Sequence, residues 1–318
     1  MLCLLIAFSC QKEEFPSAEE VFLYIHLPAD NITKVGDPGV DHGEWSASID
    51  SIAVFMVQGE NVSLNKYAVN SLRKDDNGTY YIPLILGQSD INIYAVAYTA
   101  PQTFGEKYSL TQLLNLNTIN LNDAKFKDGE KYSETKRKEC MMNLFSGRGT
   151  VTPSSEKSVT IYLTRLVSKV DVQWDVQDAY DSTTDKFVEV RMSEIVFSGL
   201  DFAYFFPDKK TDNVTQNLIT TGLYSCNSAI SERNGRCYFY TFPEQTVDVN
   251  SEKINAKIEF TLRYSYKNED GTIGTTDKEY TATFKDNLLP AVWYKVNINV
   301  KGMSTSSTNL VIGDTGTP

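Results

Sequence analysis

Histidine is scarce in this sequence, with only His26 and His42 among 318 residues. A zinc site with three histidines is therefore excluded by count, and a Cys₂His₂ site is excluded by the spacing of the available ligands. Asp37, Asp41 and His42 lie close together, but the stretch around them is rich in glycine and predicts a loop. We therefore predict no bound metal and no cofactor.

The motifs of the common transfer enzymes are also missing. The sequence has no Gly-x-Ser-x-Gly nucleophile elbow, no phosphate-binding glycine-rich loop before a lysine and no Gly-x-Gly-x-x-Gly. Its 41 acidic residues would supply carboxylate pairs for a glycosidase by chance alone, so no pair stands out. Residues 75–78, Asp-Asp-Asn-Gly, lack the further ligands of a calcium loop and predict a turn. We expect a protein without catalytic residues that is not an enzyme.

Positive charge is in short supply, because 30 Lys and Arg face 41 Asp and Glu and give a formal net charge of -11. Such a surface repels phosphate backbones, so we expect no nucleic-acid partner. The aromatic residues are mainly 18 Tyr and 16 Phe, which suit a half-buried pleated surface better than a helix face. Composition therefore favours β structure.

Long apolar runs are absent, and the run at residues 2–8 is too short to span a bilayer. With Ser9 and Cys10 behind it, this run resembles a bacterial lipoprotein signal, in which the cysteine is acylated and becomes the mature N-terminus. An ordinary truncated signal peptide is the alternative. Residues 11–14, Gln-Lys-Glu-Glu, resemble the short acidic export tag of surface lipoproteins. We therefore predict a signal peptide at 1–9 and a lipidated linker at 10–20, with Cys10 held in outer-membrane lipid and the protein exposed at the cell surface.

Cysteines are few beyond residue 10, where only Cys140, Cys226 and Cys237 remain. An oxidising compartment would permit Cys226 to pair with Cys237 across a short loop. Two unpaired, buried thiols are equally compatible with the sequence. The pairing is therefore a possible disulfide, and Cys140 has no evident partner.

Strand patterns begin at residues 21–27, a β-rich run that Pro28 ends. A long loop rich in Asp, Gly and Pro follows, and the next strand is predicted at 49–57. Residues 80–86 and 91–99 are separated by a short turn and fit a hairpin. Strands following strands without helical periods predict antiparallel sandwiches.

A second series of strands is predicted from Ser158 onwards. Its clearest turn is Asn-Glu-Asp-Gly at 268–271, between the strand at 258–266 and the region 275–284. Gly, Pro and Ser cluster between Gly147 and Ser158, and we place the domain boundary there. The predicted units are an N-terminal domain at 21–157, a C-terminal domain at 158–302 and a tail at 303–318.

Several stretches together resemble the fimbrillin family, the lipoprotein-derived pilins of Bacteroidales fimbriae. They keep their order along nearly the whole mature chain and comprise residues 21–27, 33–37, 43–55, 142–147, 159–170, 238–244 and 293–298. The resemblance implies an all-β fold of two transthyretin-like antiparallel β-sandwich domains in tandem. It also implies a structural subunit of a surface fimbria, located at the cell outer membrane and in the fimbrium. Its expected partners are other copies or related pilin subunits, and host or bacterial surface ligands.

The family assembles by strand exchange after a trypsin-like protease removes the first strand. On this sequence the resemblance points to Lys34 as the site of proteolytic maturation. The apolar residues Leu310, Val311 and Ile312 follow a Ser/Thr-rich connector and are the predicted donor strand. An alternative is that this tail folds back on its own domain as an edge strand.

Two functions from other classes stay open. A surface glycan-binding lipoprotein of the outer membrane would also use stacked sandwiches, but it would place aromatic platforms on exposed loops. Trp45, Trp174 and Trp293 fall instead in or beside predicted strands. A secreted glycosidase is the third and weakest interpretation.

Overall fold

The computed structural model describes residues 19–27, 49–87, 89–100, 104–118, 141–181, 186–212, 214–226, 232–245, 255–284, 287–301 and 309–312. Strands dominate these residues, with a 3₁₀ turn at Val69–Ser71 and a short helix, α1, at Leu110–Leu114. Ser109 and Gln112 form a reciprocal capping box at the start of α1.

The strands of the first half are β1 (Glu19–His26), β2 (Ser51–Gln58), β3 (Asn61–Ala68), β4 (Arg73–Lys74), β5 (Thr79–Leu86), β6 (Ile91–Tyr98), β7 (Phe145–Val151), β8 (Ser158–Tyr162) and β9 (Thr164–Arg165). Those of the second half are β10 (Ser168–Gln177), β11 (Ala179–Asp181), β12 (Lys186–Leu200), β13 (Leu218–Ser225), β14 (Asn234–Thr241), β15 (Lys257–Lys267), β16 (Ile273–Phe284), β17 (Trp293–Lys301) and β18 (Asn309–Ile312).

The strands form four sheets. Sheet 1 has the order β4-β5-β1-β8, sheet 2 the order β3-β2-β6-β7-β9, and sheet 3 the order β14-β10-β17. Sheet 4 has the order β11-β12-β15-β16-β18, with β13 also paired to β12. Most neighbours are antiparallel, but β1–β8, β10–β17 and β16–β18 are parallel. The predicted all-β sandwich architecture is confirmed, with these parallel pairs added.

Apolar side chains gather in three clusters. The first lies between sheets 1 and 2 and includes Leu23, Ile82 and Ile93, each with no exposed surface. The second lies between sheets 3 and 4. A third contains Phe55 from the other face of sheet 2 together with Phe205, and so packs the two halves of the chain against each other. Burial on both faces explains why β6 is apolar at nearly every position.

The two halves repeat one arrangement. In sheet 1, the first strand β1 lies between an antiparallel neighbour, β5, and a parallel one, β8. In sheet 3, β10 likewise lies between antiparallel β14 and parallel β17. Each half therefore begins with a strand that is central in its sheet.

The predicted boundary near 147–158 needs correction, because β7 and β8 belong to the first pair of sheets. Gly147 lies within β7, and a Cβ there would come 2.5 Å from the backbone oxygen of Tyr162. The glycines therefore mark a close backbone approach between sheets and not a linker. The strands of the first half end at Arg165, and those of the second begin at Ser168.

The hairpin predicted for 80–86 and 91–99 is wrong. Both segments are strands, β5 and β6, but they lie in opposite sheets, and the chain crosses the core between them. The predicted turn at 75–78 is confirmed, because the Asp75 side chain accepts the N–H groups of Asn77 and Thr79 at 3.0 and 2.8 Å. The hairpin at 268–271 is also confirmed, with β15 and β16 paired from Lys267↔Ile273 onwards.

Candidate functional site: the first strand and its groove

The first strand is held by two neighbours along its length. All eight residues of β1 are in register with β5, from Glu19↔Leu86 to His26↔Thr79. On the other side, five residues are in register with β8, from Phe22↔Ser158 to His26↔Tyr162. In sheet 1, β1 therefore lies between the edges of β5 and β8. We call the space between these two edges the groove.

The inward side of β1 is apolar and fully enclosed. Val21, Leu23 and Ile25 each have 0% exposed surface and belong to the first apolar cluster. Their period of two follows from the pleat, which sends alternate side chains to the same face. Burying side chains of this size stabilises the fold by about 1.5–3 kcal/mol each.

Polar contacts of β1 are concentrated at its ends. At the start, Lys157 Nζ lies 2.6 Å from Glu19 Oε2 in an ion pair that is largely exposed. At the end, His26 Nδ1 lies 3.1 Å from Thr79 Oγ1, and the imidazole stacks on the Tyr162 ring at 4.9 Å. Exposed pairs of this kind contribute at most about 1 kcal/mol, so the apolar inward face and the backbone pairing hold the strand in place.

The equivalent strand in the second half is bound differently. On β10, Lys169 and Asp171 alternate with the residues that face the second core, and yet they have no exposed surface. Asp171 accepts two hydrogen bonds from the Arg236 guanidinium, one of them from Nε at 2.7 Å. The Lys169 ammonium lies 4.2 Å from the Trp293 ring centroid. Buried charges fix β10 to its neighbours, whereas β1 has no such buried pair among the described residues.

Two of the predicted site residues, Cys10 and Lys34, lie outside the described residues, as do His42 and Cys140. Lys34 falls in the connection between β1 and β2. The predicted donor segment forms β18, whose backbone pairs in parallel with β16 of the same chain, from Thr281↔Asn309 to Phe284↔Ile312. In this structure Leu310, Val311 and Ile312 therefore take the edge-strand position that the sequence left open as an alternative.

The structure shows no disulfide between Cys226 and Cys237, which both lie among its described residues. Cys226 follows β13 of sheet 4, while Cys237 lies on β14 of sheet 3, and both pack against the second core. Burial, with a smaller contribution from Glu232, raises the pKa of the Cys226 thiol to about 11. A thiol held in its protonated form is a poor nucleophile for disulfide formation.

Cys226 should therefore resist alkylation in the folded protein. At pH 8 we expect iodoacetamide to modify it at least about tenfold more slowly than in urea, because raising the pKa lowers the thiolate fraction. By linkage, the free energy of unfolding should fall as the pH rises from about 9 towards 11, since the unfolded state releases this proton first. Residue-resolved mass spectrometry measures the rates. Equal rates, or a peptide in which Cys226 is linked to Cys237, would contradict this assignment.

Among the residues that the structure describes, no group of three or more His, Cys, Asp and Glu side chains is placed to hold a metal ion. None of the helices in that part of the chain has the length and apolar character needed to cross a bilayer.

The sequence did not predict that β8 pairs with β1. Residues 158–162 were assigned to the second half, because they follow a stretch rich in Gly, Pro and Ser. Their alternation, with Val159 and Ile161 buried, matches that of β1. The matching alternation shows that residues 158–162 have one face in a core. It does not show that β1 is the strand with which they pair.

Similarity to known proteins is found in the structure and not in the sequence. No family model matches the chain, and no curated protein matches it. The crystal structure of a candidate cell adhesion protein from Parabacteroides distasonis matches with 12% identity, 94% coverage of each chain and a TM-score of 0.54. One from Bacteroides eggerthii matches with 17% identity, 94% coverage of each chain and a TM-score of 0.54.

The tip fimbrial protein Mfa3 from Porphyromonas gingivalis, solved with a C-terminal truncation, is a more distant structure. It shows 12% identity, 81% coverage of each chain and a TM-score of 0.37, which is too low to support an argument. The matches from Parabacteroides distasonis and Bacteroides eggerthii, both above 0.5, establish the fold alone at these identities. This chain has the fold of those candidate cell adhesion proteins.

Proposed function

We propose that this chain is a structural subunit of a surface fimbria and not an enzyme. It is exported as a lipoprotein through Cys10 and is assembled by strand exchange after cleavage at Lys34. The fold shared with candidate cell adhesion proteins supports a role at the cell surface. The observation that carries the assembly step is the position of β1, the first strand of the chain and yet central in its sheet.

Loss of β1 would leave a groove that another strand can fill. The facing edges of β5 and β8 would lose their backbone partners, and the space of three fully buried side chains would open between them. Those side chains stabilise the fold by roughly 5–9 kcal/mol together, a large part of the 5–15 kcal/mol typical of a domain. An empty groove is therefore unstable, and a strand from another subunit restores both the pairing and the core.

The C-terminal segment is the proposed donor. In the monomer it occupies the edge of sheet 4 over four residue pairs with β16. On its other side β16 pairs with β15 over eleven residue pairs, so it does not depend on β18 for its place. The segment can therefore leave this edge at a small cost compared with the removal of β1.

Deleting residues 303–318 tests the donor assignment. We expect secretion and the thermal stability of the monomer to persist, with a change in Tm of no more than a few degrees, while polymers disappear from surface preparations. The monomer should stay stable because β18 pairs with β16 over only four residue pairs. Polymers should disappear because the donor strand is missing. A variant that no longer folds as a monomer would show that the segment belongs to its own sandwich.

A surface glycan-binding lipoprotein is the second proposal. Tyr162 favours it, because 72% of this residue is exposed on the outside of sheet 1. The two described tryptophans do not support it, since Trp174 is buried in the second core and Trp293 is half-buried beside Lys169. Trp45 lies outside the described residues. Retardation by several polysaccharides in affinity gels would favour the glycan binder over the fimbrial subunit.

A further inference from the structure

The outer surface of sheet 1 carries an unusual number of exposed apolar groups. We call it the aromatic face, and it consists of the outward side chains Phe22, Tyr24, Tyr81, Pro83, Ile85 and Tyr162. The exposed fractions of Phe22, Ile85 and Tyr162 are 40, 79 and 72%. These are three of the seven exposed large hydrophobic residues in the described part of the chain. A contiguous patch of this kind marks a contact surface.

The outer surface of sheet 4 shows what a solvated face looks like in the same chain. Its central strands β15 and β16 present Thr261, Arg263 and Asp277 outward, and the last two form an exposed ion pair with hydrogen bonds of 2.8 Å. Sheet 4 also carries two exposed apolar residues, Leu223 and Ile273, but they lie on different strands that do not pair with each other. The aromatic face of sheet 1 differs because its apolar residues lie opposite one another on paired strands, Phe22 opposite Pro83 and Tyr24 opposite Tyr81.

The rings of the aromatic face are turned towards one another. Tyr24 and Tyr81 meet edge to face at 5.0 Å, and Tyr162 stacks on His26 with an angle of 17° between the rings. The Arg73 guanidinium lies 5.4 Å from the Tyr81 ring centroid. These contacts fix the positions of the rings, while 72% of Tyr162 stays exposed. Tyr, Phe and Arg are residues enriched at protein–protein contacts.

Two charged residues lie at opposite ends of this face. Glu20 is outward on β1 beside Ile85, and Arg73 on β4 is paired with Tyr81, four residues further along the sheet. Both side chains are exposed. Within the described residues neither makes an ion pair, and the ring of Tyr81 is the contact of Arg73. Glu20 and Arg73 thus lie on either side of the Phe22–Pro83 pair, and the exposed polar residues Ser158 and Thr160 border the face on β8.

We propose that the aromatic face binds the same face of a second copy of this chain. The two copies are related by a two-fold axis that lies in the plane between them and runs obliquely to the strands. This axis places Glu20 of one copy opposite Arg73 of the second copy, and Arg73 of the first opposite Glu20 of the second. Both charges then gain a partner, and the exposed apolar side chains between them are covered. Such an isologous contact is the commonest way in which identical chains associate. This inference goes beyond the proposed function and concerns the uncleaved chain, because Phe22, Tyr24 and Glu20 all lie on β1.

The size of the face limits the strength of the contact. The strands β4, β5, β1 and β8 hold two, eight, eight and five residues, and at about 4.8 Å by 3.3 Å per residue they cover roughly 360 Å² per copy. Stable dimers bury about 800 Å² per partner. The association is therefore weak, and we expect monomers at low micromolar concentration and dimers at several hundred micromolar. Anchored neighbours on a membrane would reach such local concentrations.

Charge reversal at the two ends tests the pairing. The chain carrying Cys10→Ser, which excludes acylation, is studied by sedimentation equilibrium over this concentration range. We expect Glu20→Arg and Arg73→Glu each to weaken self-association at least about tenfold, because each places like charges opposite one another. An equimolar mixture of the two variants should recover the association of the unmodified chain, since both end contacts of the mixed dimer again join an acidic side chain to a basic one. The control is Ile273→Asp, an exposed residue outside the face, which should change nothing.

Several outcomes would overturn the proposal. The first is a monomer at every concentration, and the second is a dimer that Ile85→Asp and the charge reversals leave intact. A mixture of the two charge variants that stays monomeric excludes the two-fold arrangement. Retention on polysaccharide gels that Tyr162→Ser abolishes, without any self-association, would assign the face to a glycan. None of these results bears on polymer formation, so the proposed function stands or falls separately.

Discussion

Replacing Lys34 by alanine is expected to abolish polymers and to leave only full-length monomers in surface preparations. The reason is the covalent link between β1 and the rest of the chain. While residues 27–50 connect β1 to β2, the strand re-enters its groove from an effective concentration in the millimolar range or above. A donor from another subunit cannot compete with it. After cleavage, β1 becomes a separate ligand that a tethered donor can displace.

The matched control is Lys107→Ala, because Lys107 is an exposed lysine elsewhere in the described residues. This variant should polymerise as the unmodified chain does. Immunoblots of surface fractions without heating separate polymers from monomers. Polymers of normal length in the Lys34→Ala variant would show that cleavage at this residue does not control assembly.

The second large effect is expected at Asp171, where Asp171→Ala should reduce the free energy of unfolding by about 1.5–3 kcal/mol. The carboxylate has no exposed surface and accepts both hydrogen bonds from Arg236. The Asp171 carboxylate is buried although the Arg236 side chain is 34% exposed, so the substitution removes charge-assisted hydrogen bonds that are made on their acceptor side without water. Chemical denaturation followed by fluorescence measures the difference.

Asp277→Ala is the matched control for this prediction. Asp277 makes the same two-point contact with Arg263, but the side chains are 44 and 38% exposed. Water replaces the lost partner there, so we expect a loss of no more than about 1 kcal/mol. Similar losses at both positions would show that burial does not determine the strength of these pairs.

Strand positions could be predicted well where alternation is strong and the ends are marked. The pattern at 21–27 gave β1, and the turn at 268–271 gave the β15–β16 hairpin. The strand β3 was missed, because it lies at a sheet edge and its polar sequence, Asn-Val-Ser-Leu-Asn-Lys-Tyr-Ala, has weak contrast. Edge strands bury little on either side and therefore carry little of the signal that prediction uses.

Strand neighbours were predicted less well than strand positions. Alternation shows which side chains face the core, but in a sandwich both sheets face the same core. Hence β5 and β6 were assigned to one hairpin although they lie in opposite sheets. The glycines at 147 and 149 led to a wrong domain boundary for a similar reason. Glycine is favoured both in a flexible linker and where two sheets approach closely.

The central claim is that β1 is the strand exchanged on assembly. The most direct test is the N-terminus of the protein on intact cells, determined by mass spectrometry separately for monomers and for polymers. We expect polymerised subunits to begin at Val35 and so to lack β1, and monomers to begin at an acylated Cys10. Polymers whose subunits retain residues 19–26 in full would contradict the account.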